Sequence, residues 1–339
     1  MKVIFYVVVH GDHYANYFFD IQVPSIVNQT IYPDIKKYFQ FQIYTKKESL
    51  DNPLFRSKLE NLKSLVNVEL FLLPDLPHEQ GFENRYKYLC ICDEHANSIA
   101  RTNNALLMPA NSTYVFGNNY FESAINKIST NDHDAVLILP PRALGECFNE
   151  WFSGKVVDGD SLFEYFKTYI SPNLIASEWD QPFGANEHFF LNWYHQNQMV
   201  LRSLGYPPAI LKPYTLPDHL RTHTIDTKSL DIVKNPYVSS DFQEFPMLNL
   251  MMLNRYYHFR PRMPYLAGVR KSVDIVGDWL VRTALLSNRT PKVLFYMLNS
   301  HLVCKFSHES INHEAYSKSV STANEIKHYI KNKYNINWL

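Results

Sequence analysis

Val3-Ile-Phe-Tyr-Val-Val-Val9, followed at once by His10-Gly11-Asp12-His13, is the stretch that decides the fold. An unbroken apolar run of this length offers no polar face to water, so it reads as a strand buried on both sides, the kind that parallel sheets use. Asp12 stands where a helix cap is expected. Working outward, residues 39–44, 66–73, 105–108 and 135–139 repeat the short apolar run. The segments between them have helical spacing: residues 14–27, residues 52–65 with Leu54, Leu59, Leu62 and Leu65, and residues 84–101 with Leu89, Cys92, Ala96, Ile99 and Ala100. Strands separated by crossover helices predict an α/β fold with a doubly wound, mostly parallel sheet, over residues 1–150. Such sheets bind ligands at the carboxyl ends of their strands, near a reversal of strand order. The residues to inspect are therefore His10 to His13, Thr45-Lys46, Pro74-Asp75, Pro109 to Thr113 and Pro140-Pro141-Arg142.

Beyond Trp151 the pattern loosens. Short helices are expected over 160–169 and, richer in aromatics, over 187–204. Residues 205–246 hold many prolines and read as extended loops, with helices resuming over 245–257, 273–286 and 313–333. No Gly/Ser linker divides the halves, so residues 151–339 are expected to form a helix-rich, acceptor-side extension packed on residues 1–150.

Composition narrows the function classes. Lys+Arg and Asp+Glu are both 33 in 339 residues, and this balance argues against a nucleic-acid partner, whose phosphates demand a basic face. Hydrophobic residues at 46% and charged ones at 19% describe a globular chain. Cys90, Cys92, Cys147 and Cys304 form no CxxC pair, which disfavours a thiolate zinc site and fits a reducing compartment. The run Val3–Val9 is too short for a signal-peptide core, and no stretch has the ~20 apolar residues of a transmembrane segment. A cytoplasmic location is expected, where the Asn28, Asn111 and Asn288 sequons carry no meaning.

No GxGxxG follows the first strand and no GxxxxGK[ST] occurs, which makes dinucleotide-type and P-loop readings poor. The succession of a strand, His10-Gly-Asp-His-Tyr14, a helix reaching Val23-Pro24-Ser25-Ile26, and a strand ending Ile43-Tyr44-Thr45 resembles the opening of bacterial sugar-nucleotide-dependent glycosyltransferases of the GT-A fold. The resemblance continues through residues 86–101 with His95, Leu106-Leu-Met-Pro-Ala-Asn-Ser112, and Ile138-Leu-Pro-Pro-Arg142 with Glu146. Thr224-Ile-Asp226 and Ser240-Asp241-Phe-Gln-Glu244 look like that family's downstream acidic segments. It implies a nucleotide-sugar donor held at His10, Thr45, Asn111, Ser112 and Arg142. It also implies a catalytic base among Asp241, Glu244 and Asp226, and a glycan or other hydroxyl-bearing acceptor, as in surface polysaccharide assembly. A non-catalytic nucleotide-sugar or glycan-binding protein on the same scaffold, or another nucleotide-dependent group transferase, stands as the alternative.

One departure bears on the cofactor. Members of that family place an Asp-x-Asp or a lone Asp after the fourth strand to hold a metal on the donor diphosphate. Here the stretch is Pro109-Ala-Asn-Ser-Thr113, and a neutral amide is a weak ligand for Mg²⁺ or Mn²⁺. Two alternatives stand: a divalent cation (Mg²⁺ or Mn²⁺) held despite the missing carboxylate, or donor binding without one, in which Arg, Lys or His neutralises the phosphates.

Other features have two readings each. Asp132-His-Asp134 precedes its strand, the wrong end for a donor metal, and Asp158-Gly-Asp160 reads as a turn and helix cap. Ser240 with Gln243 makes a capping box as readily as Asp241 makes a base. His258, Arg260 and Arg262 are a phosphate-binding cluster or a surface ion-pair network. His308 and His313 sit one residue too far apart for HExxH, and His219 and His223 follow Pro217 without an evident third ligand. Trp193 and Tyr194 are core residues or a platform for an acceptor sugar.

Overall fold

The computed structural model describes residues 2–31, 33, 36–74, 82–183, 190–203, 207–215, 225–251, 266–286 and 291–336. Two compact units emerge. The first joins Met1–Leu137 to Phe148–Asp158 and Pro207–Tyr237; the second joins Ile138–Cys147 to Gly159–Tyr206 and Val238–Leu339. The strands in chain order are β1 (Val3–Val8), β2 (Phe39–Thr45), β3 (Asn67–Leu72), β4 (Leu106–Asn111), β5 (Tyr114–Phe116), β6 (Ala135–Leu137), β7 (Arg142–Leu144), β8 (Phe190–His195), β9 (Gln198–Ser203), β10 (Pro208–Leu211), β11 (Pro236–Val238), β12 (Met247–Met251) and β13 (Leu302–Cys304).

The chain is an α/β protein built on a mostly parallel seven-stranded sheet ordered β11-β6-β10-β4-β1-β2-β3. β1 pairs in parallel with β2 and β4, and β2 with β3, so the order reverses beside β1, as expected of a doubly wound sheet. The runs that became β1, β2 and β4 are buried, with Phe5, Val7, Phe41, Ile43 and Leu107 at most 1% exposed, while the run that became β3 is an edge strand with Leu72 58% exposed. On one face Phe5 and Phe41 lie 4.9 Å apart, and Phe116, Tyr120 and Phe121 close the cluster.

The helix after β1 starts at Asp12, directly behind Gly11, whose φ of 79° and ψ of 147° suit only glycine. Asp12 is thus not the cap. Its carboxylate accepts from Asn52 Nδ2 at 2.9 Å, while Asn52 Oδ1 caps the helix Pro53–Leu65 through Leu54 N–H. Between the α-helical segments Asp12–Tyr17 and Val23–Val27 the same helix widens into a π-helical turn, Phe18–Gln22. The helix Phe82–Asn103 and the helix Tyr120–Thr130 follow.

Three expectations for the later chain are corrected. Residues 205–246 are not only loops: β10 enters the central sheet antiparallel between β4 and β6, and a helix spans Ile225–Ile232. Pro208 is tolerated because it opens its strand. Residues 187–204 contain no helix among the described residues. β8 and β9 form a hairpin in which His195 faces Gln198, with Gln196 left-handed at φ 52° in the turn. The expected helix from 245 begins instead as β12, parallel to β7. The helices Gly159–Thr168, Val273–Leu286 and His313–Tyr334 lie where expected.

In the second unit β13, β9 and β8 make an antiparallel sheet. Arg202 of β9, 2% exposed, donates to Ser319 Oγ at 2.9 Å and to the carbonyls of Leu298 and Ser300 at 2.9 and 3.0 Å. A buried guanidinium thereby satisfies carbonyls at the end of the helix Pro291–Asn299. Burial, with Arg202 adding, holds the His301 imidazole down at about 4. Trp193 stacks on Trp179 at 5.9 Å and is core at 2% exposure, while Tyr194 is 41% exposed.

Candidate functional site

The register of the parallel strands sorts the residues at their carboxyl ends onto two faces. Val8 is level with Tyr44 on one side and Asn111 on the other, and the ladder runs on as Val9 N–H donates to the Tyr44 carbonyl at 2.8 Å. Level residues of parallel strands point to the same face, and successive residues to opposite faces. His10, Lys46 and Asn111 therefore share the face of Tyr6 and Tyr44, which is the face covered by Phe82–Asn103. Thr45 and Ser112 fall on the Phe5–Phe41 face.

Ring positions agree with this sorting. His10 lies 6.4 Å from Tyr88 of the covering helix and 6.1 Å from Tyr14, and Lys46 Nζ sits 5.0 Å from the Tyr88 ring. With strands about 4.8 Å apart, the spacing across the strands from Lys46 over β1 to Asn111 is roughly 10 Å, and Asn111, level with Val8, stands one same-face step back from His10 and Lys46. The row offers a cation, an imidazole and a carboxamide, over a Tyr88 ring that is itself 7% exposed. His10, Lys46 and Asn111 are each partly exposed, while Thr45 and Ser112 are 0% and 2% exposed. The Thr45 hydroxyl has no partner among the described residues, and its carbonyl accepts from Leu73 N–H at 2.8 Å. Of the four expected donor residues in the first unit, the structure thus brings His10 and Asn111 to one surface and sets Thr45 and Ser112 in the interior.

Lys46 stands among the strand-end residues to inspect but not among the expected donor contacts, and Tyr88 is in neither set. Parity along β2 was the signal available for Lys46, but a strand buried on both faces hides its parity. Nothing local marks Tyr88, which arrives from a helix some forty residues further along.

That helix is anchored by a buried polar cluster. Asp93, 2% exposed, accepts from Tyr6 of β1 at 2.7 Å and from Tyr214 at 2.8 Å, and its carboxylate pairs with the Lys228 ammonium, 0% exposed. Asn97 adds two bonds to the Tyr214 backbone, at 2.9 and 3.1 Å. Burial, and then the Asp93 charge, push the Tyr6 and Tyr214 phenols well above their ordinary range.

At the end of β4 the side chains are Asn111, Ser112 and Thr113, and no group of three His, Cys, Asp or Glu side chains converges among the described residues. This donor set does not fit a hard divalent cation, which takes carboxylate oxygens. Both Asp-x-Asp strings hold turns. Asp134 Oδ2 accepts from Lys234 and Asn235 N–H, each at 3.3 Å. Asp160 accepts from Ser307 N–H and Oγ, both at 2.6 Å, and from Gln243 Nε2 at 3.0 Å.

In the second unit Arg142 opens β7, half-buried, its carbonyl accepting from Ser171 N–H at 3.0 Å. Ser240 to Glu244 starts no helix. It is a turn in which Asp241 Oδ1 accepts from Gln243 N–H at 2.9 Å, and Ser239 Oγ donates to the Asp241 carbonyl at 3.1 Å and to Glu244 Oε2 at 3.3 Å. The capping-box reading is replaced by an Asp-based turn. Asp226 lies in the helix Ile225–Ile232, with its side chain outside the described residues. His219, His223, His258, Arg260 and Arg262 also lie outside them.

No protein-family model and no curated protein matches the chain. Among solved structures it is similar to S. aureus TarS 1–349 in complex with UDP-GlcNAc, at 10% identity and a TM-score of 0.41, covering 98% of this chain and 74% of that one. The same TarS segment in complex with UDP gives 11% and 0.43, covering 100% and 93%. A further S. aureus TarS structure gives 11% and 0.42, covering 85% of this chain and 44% of that chain.

Proposed function

We propose that the chain binds a nucleotide-activated sugar at the carboxyl ends of β2, β1 and β4 and transfers the sugar to a hydroxyl-bearing acceptor such as a glycan. The observation that carries this reading is the row of His10, Lys46 and Asn111 on one sheet face beside Tyr88, at the point where strand order reverses. The resemblance of the loop sequences to GT-A glycosyltransferases supplies the class of ligand. Asn111 suits the sugar or ribose hydroxyls and Lys46 with His10 the diphosphate, while Tyr88, 7% exposed, packs against His10 and Lys46.

In the transfer, the acceptor oxygen attacks the anomeric carbon, its proton passes to a carboxylate, and the bond from that carbon to the diphosphate oxygen breaks. The leaving nucleoside diphosphate gains negative charge, which fixed cations stabilise. At the row the Lys46 ammonium fills that role, and the His10 imidazole can donate a hydrogen bond to a phosphate oxygen. Asp241 is the first choice for the base, ahead of Glu244 and Asp226, because one of its oxygens is committed to the Gln243 turn and orients the other.

The test is a thermal-shift and calorimetry panel of UDP-glucose, GDP-mannose, CMP-N-acetylneuraminate and dTDP-glucose, each with and without Mn²⁺. One donor is expected to stabilise the protein in the absence of metal, and Asn111→Ala to weaken it about tenfold through one lost hydrogen bond, with the melting temperature unchanged. Indifference to all four, or undiminished affinity in Asn111→Ala, would overturn the site. For the chemistry, Asp241→Asn is expected to cut kcat by about 10² or more while leaving donor KM in place. Binding without hydrolysis or transfer in the native protein favours the non-catalytic alternative, which the amide at the metal position of β4 already suggests.

A further inference from the structure

We infer that Gln22 is the positioning residue of the β4–β5 turn, fixing how Asn111 is presented at the row; the functional part of this rests on the donor-site reading above. Gln22 closes the π-helical turn Phe18–Gln22 and is 0% exposed. Its Nε2 spends both protons on this turn, donating to the Asn111 carbonyl at 2.7 Å and to the Tyr114 carbonyl at 3.1 Å. These two carbonyls flank Ser112 and Thr113, so one planar NH₂ sets the width of the turn. Ser25, one helical step on, donates to the Gln22 carbonyl at 2.7 Å and accepts from Phe116 N–H at 3.2 Å. The helix after β1 therefore grips residues 111, 114 and 116 from the side opposite the row.

The π-helical turn has a physical purpose in this arrangement. A continuous α-helix would rotate position 22 by roughly 100° per residue gained or lost, and the carboxamide would leave the two carbonyls. π-turns are kept where they aim a side chain that an α-helix would misplace. The donor count is also specific. Glutamate of the same shape has no proton to give, and methionine would leave two buried carbonyls without donors.

Hydrogen-exchange mass spectrometry on the full chain tests this directly. Gln22→Met is expected to speed exchange at the amides of residues 111–116 by at least about tenfold. Gln29→Met is the control, because Gln29 is similarly buried at 3% exposure but bonds back onto the helix Val23–Val27 that precedes it, to the Ser25 carbonyl at 3.1 Å; it is expected to leave those amides unchanged. Affinity for the donor in the four-sugar panel is expected to fall in Gln22→Met alone. If Gln22→Met does not fold, Ser25→Ala removes the bonds to Phe116 N–H and to the Gln22 carbonyl but leaves the Gln22 carboxamide in place; it is expected to speed exchange at residue 116 and leave residues 111–114 unchanged, and equal acceleration at 111–114 would overturn the inference. Unaltered exchange in the Gln22 variant, or equal acceleration in both Gln variants, would overturn the inference. Accelerated exchange in a protein that binds no nucleotide sugar leaves Gln22's structural role standing and removes the donor site.

Discussion

Asp93→Asn is expected to destabilise the first unit by about 3–5 kcal/mol, the usual cost of leaving one partner of a buried ion pair uncompensated. The Lys228 ammonium is 0% exposed, and among the described residues it has no hydrogen-bond acceptor to replace that carboxylate. An asparagine also has one acceptor oxygen for two phenols, Tyr6 and Tyr214, which now bond to separate carboxylate oxygens. Lys228→Met is expected to cost less, about 1–3 kcal/mol, because the remaining carboxylate keeps both phenol donors. The double variant is expected to be more stable than the sum of the single losses implies. Urea denaturation followed by far-UV circular dichroism measures all three. A loss under about 1 kcal/mol for Asp93→Asn, or strict additivity, would show that the cluster is not coupled. Since Asp93 and Tyr88 share the helix Phe82–Asn103, the variant should also lose donor affinity at temperatures where it is still folded.

What the sequence showed and what it hid follow from how local each signal is. β1, β2, β4 and β6 were legible because strands buried on both faces write a continuous apolar run; β3, the edge strand with Leu72 58% exposed, was legible from its apolar residues alone. β10 was hidden: Pro207-Pro208-Ala-Ile-Leu-Lys-Pro213 has too few apolar residues to stand out, and its place between β4 and β6 depends on pairing more than a hundred residues back along the chain. The β8–β9 hairpin was mistaken for a helix because Leu191, Trp193, Met199 and Leu201 suit either period over so short a span; the Gln196-Asn197 turn was the discriminating feature. For the candidate site, position along the chain singled out His10, Thr45, Asn111 and Ser112 alike, because strands buried on both faces give no outward sign of which face each residue uses. Gln22 and Tyr88 meet their neighbours only in the fold, which no local pattern encodes, whereas Lys46 stood at a strand end that the sequence already pointed to.

Alkaline pH should unfold the first unit abruptly. Burial first, and then neighbouring negative charge, raise the phenols of Tyr6, Tyr44 and Tyr214 above their ordinary value near 10, and burial raises Tyr120. Below pH 10 a tyrosine is neutral in both the folded and the unfolded chain, so these groups leave stability independent of pH. Above pH 10 the unfolded chain releases their protons while the folded chain retains them, so the unfolded state alone gains. Each such group lowers stability by about 1.4 kcal/mol per pH unit, and the four together by roughly 5 kcal/mol per unit, until the raised folded values are reached. A unit of ordinary stability, about 5–15 kcal/mol, is therefore expected to unfold within about one to three pH units of pH 10. Absorbance at 295 nm should show these phenolates appearing together with the loss of helical circular dichroism. Smooth, reversible ionisation of all 23 tyrosines with the helix signal intact would refute the prediction, and with it the buried, uncharged state of the Tyr6 and Tyr214 phenols that hold Asp93 and the helix bearing Tyr88.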